Sequence, residues 1–206
     1  MLTADSLTLS YGNENIIENA TFHIAKGEAA VLIGENGSGK STLLYALSGA
    51  MKPKGGQILQ GGTIGYIPQG SGLIEELTFA DNLRFFAALS GVEIPKTLPF
   101  YAERLLGKKI CNMSGGMKKL CSIVCTVIGK PDILLLDEPC ASLDKEHRDM
   151  LTDYLCQAKK EGLTIVYVGH NQEEYACFAD KYLLVAESVT VLSRDAYAQT
   201  VGGSLV

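Results

Sequence analysis

Residues 34–42 read Gly-Glu-Asn-Gly-Ser-Gly-Lys-Ser-Thr, which fits the pattern G-x-x-x-x-G-K-[ST]. The run follows an apolar segment, Ala29-Ala30-Val31-Leu32-Ile33, and leads into a helical stretch from Ser41 to Ala50. Strand, glycine-rich turn and helix in that order form the frame of a phosphate-binding P-loop. The glycines let successive N–H groups along Asn36, Gly37, Ser38 and Gly39 point at one spot, where the helix N-terminus adds partial positive charge. Lys40 brings a full charge for the β- and γ-phosphates, Ser41 a hydroxyl for Mg²⁺, and Thr42 completes the run. These residues predict a nucleoside triphosphate site.

A second signal is Ile133-Leu134-Leu135-Leu136-Asp137-Glu138-Pro139. A continuous apolar run is typical of a strand buried on both faces. Ending such a strand in an acid, in the same sheet as the P-loop strand, places a carboxylate beside the phosphates. Asp137 would hold Mg²⁺ there, through water, in the manner of a Walker B aspartate. Glu138 is then placed to polarise the attacking water as general base.

A third signal decides between kinds of P-loop protein. Asn112-Met113-Ser114-Gly115-Gly116-Met117-Lys118-Lys119 precedes a helix and lies shortly before the Asp137 strand. Ser-Gly-Gly before a helix is on its own an anion site. Here it resembles the L-S-G-G-Q signature of ATP-binding cassette (ABC) ATPases. Four further positions match that family's order. Gln69, ending Ile64-Gly65-Tyr66-Ile67-Pro68, resembles the Q-loop glutamine, and Ser142-Leu143-Asp144 resembles the D-loop. His170, after the strand Thr164 to Val168, resembles the switch histidine, and Tyr11 the aromatic that stacks on adenine. The match runs from about residue 2 to 190. Two positions depart from it: Met113 stands where the family usually has Leu, and Met117 where it usually has Gln. Met lacks the amide hydrogen bonds of Gln, so weaker contacts, and a weaker dimer, are expected from position 117.

The resemblance implies a fold and a working cycle. The fold is α/β: a P-loop NTPase core with a parallel sheet, an antiparallel β subdomain and a small inserted helical subdomain. Two such subunits face each other head to tail, so that each ATP lies between one P-loop and the other subunit's Ser114, Gly115 and Gly116. Gln69 and His170 would sense the γ-phosphate, with Gln69 also near Mg²⁺, while Glu138 drives hydrolysis. The implied partners are a second ABC ATPase subunit, as homodimer or heterodimer, and integral membrane transporter subunits. The compact insert, including Leu77-Thr78-Phe79-Ala80-Asp81-Asn82-Leu83-Arg84-Phe85-Phe86, looks like that of short exporter-type subunits. The location expected is cytoplasmic, peripheral on the inner face of the cell membrane. The alternative is a soluble ABC ATPase of iron–sulfur assembly type. A P-loop small-molecule kinase would leave Ser114-Gly115-Gly116 and His170 without a task.

The elements that must position these residues are legible in outline. Ser-Leu-Thr-Leu-Ser at 6–10 alternates as a strand does. A second strand covers about Ala20 to Ile24, and Gln57–Leu59 with Thr63–Ile67 reads as a small hairpin. Residues 70–112 change character. Thr78 caps a helix with Asp81 in the reciprocal capping-box position, and Phe79, Leu83, Phe86 and Ala87 share one face. Phe85 points about 100° away and is expected to be exposed. Tyr101 to Leu106 is a further short helix. With the helix Ser114 to Ile128, the helical subdomain spans about 70–128 of a single domain, 1–206. Helices are also expected from Asp144 to Lys160 and from Asn171 to about Ala179. The last strands are Tyr182–Val185 and Val189–Leu192.

Bulk properties restrict the partners. A net charge of −5 is the wrong sign for a protein whose main ligand is nucleic acid or an anionic membrane surface, and no nucleic acid partner is expected. No apolar run approaches the ~18 residues that span a bilayer. Met1 to Ser6 has neither the basic region nor the apolar region of a secretory signal. The six cysteines form no C-x-x-C. Cys121 and Cys125 read as small buried hydrophobes of a helix rather than as a metal or redox pair. Six unpaired thiols would suit a reducing compartment. Lys118 and Lys119 read as a solvated helix face, one that could lie toward the nucleotide, and His23 and His147 as surface residues.

Overall fold

A computed structural model describes residues 1–202. Two sheets organise it. Strands β1 (Leu2–Tyr11), β2 (Glu14–Ile24) and β4 (Gly55–Gln60) form an antiparallel sheet in the order β2-β1-β4. A six-stranded sheet has the order β5-β6-β7-β3-β8-β9, from β3 (Ala29–Ile33), β5 (Ile64–Ile67), β6 (Ile133–Asp137), β7 (Thr164–Val168), β8 (Lys181–Val185) and β9 (Val189–Ser193). Its first five strands are parallel and β9 is antiparallel.

The apolar runs of the central strands have a direct explanation in the two cores. Ala30, Leu32, Ile133, Leu135, Val166 and Val168 pack on one face with Leu43, Leu44 and Leu47 of α1 (Lys40–Leu47) and with the antiparallel sheet. The alternate residues Val31, Leu134, Leu136, Ile165 and Tyr167 pack on the other. There they meet α2 (Phe79–Ser90), α3 (Gly115–Val127) and α4 (Lys145–Lys160). A strand covered on both faces has no polar side, so the period of two disappears from its sequence.

The helical subdomain follows the expected pattern at α2. Phe79, Leu83 and Ala87 are buried, Phe86 is half-buried against the same core, and Phe85 is 46% exposed. Thr78 is the N-cap: its Oγ1 accepts from the Asp81 N–H at 3.1 Å and donates to Asp81 Oδ2 at 2.6 Å. That second bond replaces the backbone contact of a full capping box. It and the exposed partner Arg84 hold the Asp81 carboxyl below its ordinary range. Cys121 and Cys125 are buried in α3, and burial pushes both thiols up to about 12.

Several expectations fail for identifiable reasons. Residues 57–59 and 63–67 do not form a hairpin: β4 pairs with β1, while β5 crosses to the other sheet and pairs in parallel with β6. The Gly61-Gly62 link is a crossing between sheets rather than a tight turn. Residues 101–106 are not an α-helix; a 3₁₀ segment spans Pro99–Leu105, kinked where Phe100 and Tyr101 take positive φ. Asn171 caps only a 3₁₀ turn, Gln172–Glu174, because the backbone goes on through further turns at residues 175–178 before β8. The thiols are not all free: Cys156 on α4 and Cys177 are bonded, their Cα atoms 6.1 Å apart. A final helix, α5 (Arg194–Gly202), lacked an apolar stripe that would have announced it.

Because the Thr78 hydroxyl serves both α2 and Asp81, Thr78→Ala should lower stability by about 1 kcal/mol, the usual cost of a lost cap. The midpoint of urea unfolding measures this. The loss should shrink below the ordinary carboxyl range, where Asp81 is protonated.

Candidate active site

Parallel strands align their carboxyl ends, and ligands of open α/β sheets bind along that edge. Here β3 runs into the P-loop, β5 into Gln69, β6 into Asp137 and Glu138, and β7 into His170. Asp137 is paired in register with Val168 at the end of β7. The topology thus brings together residues that are a hundred positions apart in the chain.

The P-loop is shaped by its glycines and closed by its lysine. Gly39, the N-cap of α1, lies at φ 98°, a left-handed conformation that side chains disfavour. A Cβ at Gly39 would also come within 2.8 Å of Ile16 Cγ2. The Lys40 ammonium donates to the carbonyls of Gly34 at 2.9 Å and Glu35 at 2.7 Å. Residues 34–37 are exposed, and the lysine's charge is tied to the loop they form. Ser41 is exposed and Thr42 half-buried on the first turn of α1.

Asp137 is 2% exposed, and its Oδ1 has no hydrogen-bond partner. Burial pushes its carboxyl up, against a hydrogen bond from Ser41 that pulls it down; Glu138 adds to the rise, and Lys119 and Lys40 oppose it. An unpartnered buried carboxylate oxygen beside the Ser41 hydroxyl is a donor set suited to a hard cation.

Glu138 takes φ 46°, uncommon for a residue with a Cβ, while its N–H donates to Val168 O at 3.0 Å. The turn aims its carboxylate between two groups: Gln69 Nε2 donates to Oε2 at 3.3 Å, and His170 Nε2 lies 3.0 Å from Oε1. Gln69, Glu138 and His170 thus converge as the motif order required. Tyr11, at the end of β1, is 57% exposed and its ring is open to stacking.

The Ser114-Gly115-Gly116 turn lies elsewhere. Ser114 caps α3, accepting from the Met117 N–H at 3.4 Å. A Cβ on Gly116 would approach Ser142 O to 2.5 Å, so the signature turn packs directly on the D-loop. The concavity beside it, about 530 Å³, is lined by Ser114, Gly116, Ser142 and Asp144 and by no P-loop residue. Met117 packs its side chain against the core. His147 is more than a surface residue: its Nδ1 lies 2.7 Å from Asp144 Oδ1 and its Nε2 2.9 Å from Arg104.

Two polar residues escaped the sequence reading. Asn82, fully buried, donates to the Ile74 and Thr78 carbonyls, accepts from the Ile74 N–H, and so ties the segment before α2 to the helix. Lys119 is 3% exposed rather than solvated. Only the apolar residues around each position in the helix pattern could have hinted at this.

Comparison with known proteins fits this geometry. Residues 17–141 match the family described as ABC transporter. The chain belongs to that family. This cassette is an ATP-binding subunit of an ABC transporter and an ATPase. It is 31% identical over 208 residues to the lantibiotic transport ATP-binding protein SrtF of Streptococcus pyogenes, covering 95% of this chain and 91% of SrtF. It is 32% identical over 189 residues to the zinc import ATP-binding protein ZnuC of Roseobacter denitrificans, covering 89% and 74%. A solved structure described as the ATP binding subunit of an ABC transporter superposes with TM-score 0.90 at 28% identity, covering 100% of this chain and 95% of that one. Among the described residues, no helix of the cassette is long and apolar enough to cross a membrane.

The buried charge of Asp137 yields a stability prediction. Asp137→Asn removes a carboxylate that burial disfavours. The nucleotide-free variant should therefore melt higher than wild type by roughly 2–4 °C, the shift about 1 kcal/mol gives in a domain of this size. Calorimetry of both proteins at neutral pH checks it; a lower melting temperature in the variant would mean that the charge is well compensated.

Proposed function

We propose that this cassette powers export through separate membrane subunits, closing as an ATP-driven dimer on the cytoplasmic face of the cell membrane. The observation that carries the chemistry is Glu138, held at the carboxyl edge between Gln69 and His170. In this reading the P-loop amides of Asn36 to Gly39, with Lys40, Ser41 and Thr42, grip the phosphates, and Tyr11 stacks on the adenine. Asp137, Ser41 and Gln69 would hold Mg²⁺, which draws charge from the β- and γ-phosphates. The Glu138 carboxylate accepts a proton from a water as the water oxygen attacks the γ-phosphorus, the bond from that phosphorus to the bridging oxygen breaks, ADP leaves with that oxygen, and Gln69 and His170 fix the carboxylate's direction.

A second copy, or a related cassette, completes the site. The separate concavity at Ser114 and Gly116 supports this, because no P-loop residue lines it, and Ser114 with the Gly115 and Gly116 amides would there cradle the anion of a nucleotide held by another copy. The membrane subunit would meet the helical subdomain, where Ile74, Leu77, Phe85 and Leu89 are exposed. Export is favoured over import by the compact insert around Leu77 to Phe86, which looks like that of short exporter-type subunits.

Glu138→Gln should bind ATP yet lose hydrolysis by roughly 10²–10⁴-fold, the usual contribution of a general base. Phosphate release measures this, and turnover near wild type removes Glu138 from the role. Light scattering of the same variant should show doubling of mass only with MgATP, and Met117→Gln should tighten that dimer. Phe85→Asp should leave folding and ATPase turnover intact while abolishing co-purification with the membrane subunit; retained co-purification moves the docking surface elsewhere.

A further inference from the structure

Helix α3 carries two consecutive lysines with opposite surroundings. Lys118 lies at the rim and pairs with Glu75 at 2.8 Å. Lys119 turns inward. Its ammonium lies 2.6 Å from the Pro68 carbonyl oxygen, 2.9 Å from that of Gln69 and 3.4 Å from that of Gly70. An ammonium has three hydrogens and no acceptor, so each hydrogen here faces one carbonyl.

Those acceptors are consecutive in the chain. In extended backbone, neighbouring carbonyls point to opposite sides. Three of them can meet one point only if the chain curls around it, and their oxygens, crowded together, repel one another without a cation between them. The curl after β5 is therefore a shape that depends on Lys119. The same curl fixes Gln69, which gives its carbonyl to Lys119 and its amide to Glu138 Oε2, 3.3 Å away. Asp137 and Glu138 lie close enough to favour the charged lysine against the cost of its burial.

We propose that Lys119 is a positioning residue for hydrolysis: it holds the Pro68–Gly70 backbone so that Gln69 reaches Glu138, and it couples that loop to the helix that Ser114 caps. Whatever binds at Ser114 and shifts α3 then also shifts Gln69. The proposal rests on the reading of Glu138 and Gln69 given above, and goes beyond it in assigning the residue that sets their geometry.

The test is a cycle of ATPase measurements on the intact protein, with Lys119→Met, Lys119→Arg, Gln69→Ala and the double variant Lys119→Met/Gln69→Ala. Lys119→Met should lower kcat by roughly 10- to 100-fold, as losing a group that orients an active-site residue does, with KM for ATP nearly unchanged. Lys119→Arg, which keeps the charge and several donors, should recover most of the loss. In the Gln69→Ala background, Lys119→Met should cost little more, because the residue through which it acts is gone. Three results would overturn the proposal: kcat of Lys119→Met within twofold of wild type, losses that multiply in the double variant, or no recovery in a folded Lys119→Arg. Should Lys119→Met not fold, Lys119→Gln carries the same cycle with the same expected and contrary outcomes. Glu138→Gln run alongside separates the two levels: full turnover there sinks the underlying reading, whereas its loss with an intact Lys119→Met sinks only the role of Lys119.

Discussion

One buried carboxylate organises this molecule. Asp137 is almost wholly removed from water, and one of its oxygens has no partner. Leaving a buried acceptor unsatisfied costs about 1–3 kcal/mol, more when it is charged. The fold tolerates this because Ser41 hydrogen-bonds the carboxylate and the charges of Lys119 and Lys40 attract it. Lys40 in turn is held by its own loop carbonyls rather than by the carboxylate. The edge of the sheet thus gathers cations and an anion at the place where, in the proposed reading, a metal-bound triphosphate is held.

The rest of the structure serves that edge. Parallel pairing of β6 with β5 and β7 brings Gln69, Glu138 and His170 to one place. The helical subdomain is joined to the edge by polar seams rather than by apolar packing alone. Lys119 grips the backbone after β5, Asn82 fixes the segment leading to α2, and Gly116 lets the signature turn touch Ser142. A seam of directed hydrogen bonds transmits displacement more specifically than an apolar contact, which can slide. In the proposed reading, that property would let events at Ser114 reach Glu138.

What the sequence disclosed, and what it hid, follows from the range of the forces involved. The P-loop, the acid-tipped β6 strand and the signature turn depend on short stretches whose residue types are forced by local geometry, and each is found where expected. Phe79, Leu83 and Ala87 were legible because one helix face must meet the core. The partner of β4 was not, since residues 55–67 carry the same alternation whether the two strands pair with each other or with distant ones. Lys119 looked solvated because its three acceptors lie about fifty residues upstream, and a lysine's composition carries no trace of them. The pairing of Cys156 with Cys177 was hidden for the same reason, being made by the packing of α4 beside the turn after β7.

The proposed reading turns on Asp137 holding a cation carried by the nucleotide. Calorimetric titration of ATP into wild type and Asp137→Asn, each with excess Mg²⁺ and with a chelator, tests it most directly. The account predicts that Mg²⁺ tightens binding to wild type at least several-fold, and that the Asp137→Asn substitution removes most of that gain while leaving the metal-free affinity unchanged. Equal Mg²⁺ dependence in the two proteins would contradict it.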